Sequence, residues 1–100
     1  MQGQTDLTGL IKILRQQFPF LAERYQVTSL SVFGSYVRHE QRPDSDIDIL
    51  VTFHEPPSLL KFIELENYLT DVLGIKVDLV MKEALKPKIG ERILHEAVPV

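Results

Sequence analysis

The sequence predicts an α/β or α+β fold, a small β-sheet covered by helices. Two observations carry this. Apolar residues recur at helical spacing near 6–24, 58–73 and 88–96. Three short runs rich in apolar and β-branched residues, at 28–34, 46–53 and 76–81, alternate with those segments. The order is helix, strand, strand, helix, strand, helix. With 100 residues, the chain is expected to form one domain spanning 1–100.

Leu7, Leu10, Ile11 and Leu14 define the first helix over 6–17, with Thr5 or Asp6 as its cap. Pro19 is expected to break or kink it near Gln17, because an interior proline loses a hydrogen bond and clashes with the preceding turn. Residues 19–24 then make a second short helical piece. In TSLSVFG (28–34), Leu30 and Val32 share one strand face while Ser31 and Phe33 share the other. Residues 36–40 suit a helical turn, and RPDS (42–45) is turn chemistry. In DIDILVTF (46–53), Ile47, Ile49 and Val51 face one way, and Asp46, Asp48 and Leu50 the other.

Pro56 and Pro57 end that strand, and Ser58 caps a helix over 58–73 whose buried stripe is read as Leu59, Phe62, Ile63, Leu69, Val72 and Leu73. Gly74 suits the position just past its end. KVDLVM (76–81) is the third strand, and Ile89, Ile93 and Ala97 mark a helix over 88–96 after Pro87. PFLAERY and the closing AVPV are candidate apolar surfaces for a partner.

Composition narrows the function classes. Without cysteine, neither a disulfide framework nor a thiolate metal site can form. No apolar stretch approaches the ~20 residues of a membrane-spanning helix, and MQGQTDLTG lacks the basic and apolar regions of a signal peptide. A cytoplasmic location is expected. A net charge of −3 argues against nucleic-acid binding through a broad basic surface.

The chemistry concentrates in FGSYVRHEQRPDSDID, residues 33–48. Asp46 and Asp48, at i and i+2 on a strand, project from one face. At ~5 Å and an effective dielectric of ~20, their repulsion costs about 3 kcal/mol. Solvent or a cation can relieve it, and Mg²⁺ takes one or two carboxylates plus substrate phosphates. Asp78 stands inside the third strand between Val77 and Leu79, where an aspartate is disfavoured. If the second and third strands are neighbours in register, it joins the pair, and it can accept a proton from an attacking hydroxyl. Gly34 lets the backbone approach a ligand, and Ser35 with nearby N–H groups can hold phosphate oxygens. Arg38 adds charge for the same anion. A phosphate cradle followed by a metal-binding pair suits nucleotidyl transfer.

His39, His54 and His95 lack metal-site spacing and read as surface residues. Lys82, Lys86, Lys88 and Arg92 form either a solvated helix face or a contact for a nucleotide or acidic partner. Tyr36 either packs against its loop or touches a partner.

VFGSYVRHEQRPDSDIDILV resembles the signature of the DNA polymerase β-like nucleotidyltransferase superfamily: Gly-Ser, ten residues, then Asp-x-Asp. With the later VDLV strand and the closing KPKIGERILHEAVPV, nearly the whole chain resembles the minimal nucleotidyltransferases, the MNT (MntA-like) antitoxins encoded beside HEPN-domain toxins. The resemblance implies a mixed sheet flanked by helices, with Gly34 and Ser35 on the nucleotide phosphates and Asp46, Asp48 and Asp78 as the acids. It further implies Mg²⁺, ATP as the donor, and a tyrosine of a HEPN ribonuclease as the AMP acceptor. Many members read Gly-Ser-Arg-x-Arg-Gly; here Tyr36 stands at the first arginine position and His39 at the glycine position. Two other functions remain open: an antitoxin acting by occlusion alone, and a small-molecule nucleotidyltransferase working with a helper subunit.

Overall fold

A computed structural model describes residues 6–100. The chain runs α1 (Leu7–Tyr25), β1 (Val27–Phe33), a 3-10 turn (Gly34–Tyr36), β2 (Ile47–Phe53), α2 (Leu59–Leu73), β3 (Val77–Met81), a second 3-10 turn (Lys82–Ala84), α3 (Pro87–Glu96) and β4 (Val98–Pro99). The four strands form one mixed sheet in the order β3-β2-β1-β4. β1 is antiparallel to β2 and to β4, and β2 is parallel to β3.

α1 continues through Pro19 as one helix, against the expected break. Leu10, Leu14, Leu21 and Tyr25 stay in phase along one buried stripe across the proline. Stopping at Gln17 would forfeit the burial of Leu21 and Tyr25, worth about 1.5–3 kcal/mol for a side chain of this size. Together these offset the ~3 kcal/mol cost of an interior proline. Pro19 and Arg15, whose carbonyl loses its partner, are both exposed, where water can bond that carbonyl. Asp6 is the cap, its carboxylate accepting from the Gly9 N–H at 2.9 Å; the alternative, Thr5, lies outside the described residues. The helix ends at Gln26 in the left-handed conformation, with its N–H bonded to the Leu21 carbonyl.

The core fills the space between α1, α2 and one face of the sheet. Leu30 and Val32 from β1, Ile47, Ile49 and Val51 from β2, and Val77 and Leu79 from β3 meet Leu10, Leu14, Leu21, Leu65, Leu69 and Leu73. The strand alternation read from the sequence therefore holds. The α2 stripe is corrected in part: Leu69 and Leu73 are buried, but Leu59 is 74% and Ile63 42% exposed, while Leu65 is fully buried. Leu59 occupies the first turn, capped by Ser58, and Ile63 lies to the side of the Leu65–Leu69–Leu73 row. Gly74 closes the helix in the left-handed conformation.

α2 also protects the sheet edge at β3. Thr70 Oγ1 accepts the Val77 N–H at 3.0 Å, and a Glu66 carboxylate oxygen accepts the Leu79 N–H at 2.9 Å. At the opposite edge the closing AVPV, expected as a partner surface, supplies β4 against β1. Pro99 is tolerated there because an edge strand has one unpaired side. Among the described residues, no helix is long and apolar enough to cross a membrane.

Candidate nucleotide and metal site

β1 ends where β2 and β3 begin, so three chain segments deliver functional groups to one end of the sheet. Phe33, the last residue of β1, is paired with Asp48, the second residue of β2. Asp48 is in turn paired in register with Asp78, the second residue of β3. The neighbour relation on which the third acid depended is therefore present. Both aspartates alternate with core residues and so lie on the face away from α1 and α2.

The Asp48 carboxyl is pushed up to about 6, first by burial, then by the charge of Asp78 and a hydrogen bond with it, then by the charge of Asp46; Arg38 opposes the rise. Asp46 sits just before β2 and is exposed, as is Asp78. Among the described residues, no three acidic or histidine side chains converge into a ready-made metal cage. What is preformed is a like-charged pair, Asp48 beside Asp78, with a third carboxylate close enough to act on it. This donor set fits Mg²⁺, which needs only one or two carboxylates when phosphates complete its shell.

The turn after β1 explains Gly34. Its φ is +82°, and a Cβ built there would collide with Asp48 Oδ2. The backbone thus passes directly over the acid, which only glycine permits. Ser35 is half-buried in the same 3-10 turn, and its carbonyl accepts the Glu40 N–H at 2.9 Å. Tyr36 is a core residue; its hydroxyl pKa is raised by burial and by the charge of Asp46. His39, at the position where many MNT proteins carry glycine, holds φ +59°. The loop keeps the left-handed step that glycine favours, although the side chain differs.

α3 supplies a wall of which the sequence offers only Arg92, as one alternative. Ile89, Arg92, Ile93 and Glu96 line a cleft of about 280 Å³ with Phe33, Gly34, Arg38 and Asp48. Small-molecule pockets usually span about 300–1,000 Å³, so this cleft is small for enclosing a nucleotide without a further wall. Glu96 Oε2 accepts the Gly34 N–H at 2.7 Å, and Glu96 Oε1 accepts from Arg38 Nη1 at 2.9 Å. Arg38 also donates to Glu40 at 2.9 Å. The Gly34 backbone bond, followed by Arg38, holds the Glu96 carboxyl below its ordinary range. The pairing of Val32 with Val98 across β1 and β4 explains the contact, since the same register carried two residues further sets Glu96 opposite Gly34. All four residues of the sparse basic stretch, Lys82, Lys86, Lys88 and Arg92, are exposed, and of them Arg92 lines the cleft. His39, His54 and His95 are exposed.

Comparison with known proteins places this geometry. Protein adenylyltransferase MntA of Thermococcus cleftensis is 60% identical over 80 residues, covering 80% of this chain and 81% of its own. The solved structure of a minimal nucleotidyltransferase superposes with a TM-score of 0.80 at 36% identity, covering 99% of this chain and all of the other. A toxin–antitoxin crystallised with AMP-PNP gives a TM-score of 0.68 at 26% identity, covering 92% of this chain and 69% of that one. The profile of the nucleotidyltransferase domain matches residues 11–100. With a glycine turn laid over paired strand aspartates, the chain belongs to the nucleotidyltransferase domain family.

Proposed function

We propose that this chain is the antitoxin of a HEPN/MNT pair, a Mg²⁺-dependent adenylyltransferase that moves AMP from ATP to a tyrosine of a HEPN ribonuclease and so silences it. The observation that carries the reading is the register of Asp48 with Asp78 beneath the Gly34 turn. The MntA relative and the AMP-PNP-bound neighbour support the nucleotide and the protein acceptor.

In this reading Gly34, Ser35 and Arg38 hold and orient the triphosphate above Asp48. Asp46, Asp48 and Asp78 would hold Mg²⁺, which would offset the charge developing on the phosphate. The acceptor oxygen bonds to the α-phosphorus of ATP, the bond from that phosphorus to the bridging oxygen breaks, and pyrophosphate leaves. The hydroxyl proton passes to a carboxylate; Asp78, exposed and paired in register with Asp48, takes that role. The cleft leaves one side open for a protein acceptor to close.

The test mixes the purified chain with ATP, Mg²⁺ and the HEPN partner and weighs the partner by mass spectrometry. A gain of one or more AMP units, lost in the Asp46→Asn, Asp48→Asn double variant, is expected. An unmodified partner that the double variant still inhibits would establish occlusion instead.

A further inference from the structure

Glu96 holds two groups that the proposed nucleotide site needs. Its two carboxylate oxygens accept the Gly34 N–H and a guanidinium N–H of Arg38, at 2.7 and 2.9 Å. A backbone N–H beside a guanidinium is an anion seat, and a carboxylate fills it as a phosphate oxygen pair would. Arg38 is then committed on both sides, to Glu96 and to Glu40. A triphosphate entering the cleft therefore meets an occupied cradle and the added negative charge of Glu96, next to the carboxyl groups of Asp48 and Asp78.

We infer that Glu96 is an internal competitor for the nucleotide: its carboxylate closes the phosphate seat in the empty enzyme and leaves it when Mg–ATP binds. This rests on the reading of Gly34 and Arg38 as phosphate contacts. The device lies in the α3–β4 connection, because β4 pairing is what brings Glu96 to Gly34. Nucleotide binding is consequently coupled to the end of α3, an element exposed at Ile89 and Leu94.

Calorimetric titration with Mg–ATP, without an acceptor, tests the idea. Glu96→Gln keeps an oxygen for the Gly34 N–H and removes the charge, so its fold is spared; Glu96→Ala removes both bonds. Each is expected to bind Mg–ATP about three- to tenfold more tightly than the unaltered chain, the scale of one net hydrogen bond at a partly exposed site. Glu23→Gln, which removes an exposed α1 charge, should change affinity by less than twofold. In NMR, the Gly34 amide and the Glu96 carboxyl carbon of the unaltered chain should shift together with the calorimetric Kd. Unchanged or weaker binding in Glu96→Gln overturns the inference, making Glu96 a positioning residue for Arg38. Absence of Mg–ATP binding in every form overturns the nucleotide site itself.

Discussion

Asp48→Asn should make the metal-free domain more stable at neutral pH while disabling it. Asn is nearly isosteric with the protonated acid and removes the charge that burial and Asp78 oppose. The folded-state pKa is raised from 3.8 to about 6. At about 1.4 kcal/mol per tenfold change in proton affinity, the ceiling is near 3 kcal/mol. Partial solvent access reduces the expectation to about 1–2 kcal/mol. The sign follows from linkage. The raised pKa contributes stability that is fully present below about pH 4 and is lost as pH rises through about 6.

The assay is urea unfolding in EDTA from pH 4 to 7.5, read as variant minus unaltered chain. The subtraction removes the opposite pH dependence of Glu64 and Glu96, whose depressed pKa values add stability above the ordinary carboxylate range. The difference should be smallest at pH 4, grow through pH 6 and then level. Mg²⁺ should stabilise the unaltered chain and leave the variant nearly unmoved. A variant less stable than the parent at pH 7.5, or a difference flat with pH, would show that burial and the neighbouring charges do not penalise the Asp48 carboxylate in the fold.

Two further substitutions probe the turn. His39→Gly should stabilise the domain by about 0.5–1 kcal/mol, because relief of a left-handed non-glycine residue exceeds the entropy added to the unfolded chain; chemical denaturation reads it. Gly34→Ala should lower stability by about 2 kcal/mol and abolish Mg–ATP binding by calorimetry, since the new methyl meets the Asp48 carboxylate. The AMP-transfer and Glu96 experiments complete the set.

The local code was legible. Strand alternation placed Ile47, Ile49 and Val51 in the core, Ser58 and Gly74 bounded α2, and Gly-Ser with Asp-x-Asp singled out the segments that the fold lays against each other. These are properties of a few consecutive residues, set by backbone sterics, side-chain period and like-charge repulsion. The tertiary structure decided the rest. Pro19 stays helical because Leu21 and Tyr25 have distant partners to bury against, which no window around the proline contains. β4 is only two residues long and carries no periodicity; it exists because β1 offers it an edge. Asp78 reaches Asp48 through the parallel register of β2 and β3, and Glu96 reaches Gly34 through β4 across 62 residues of chain. Which acids touch which loop is a question of pairing between segments far apart in sequence. Here the strand order brought one acid to Asp48 and another to the Gly34 N–H.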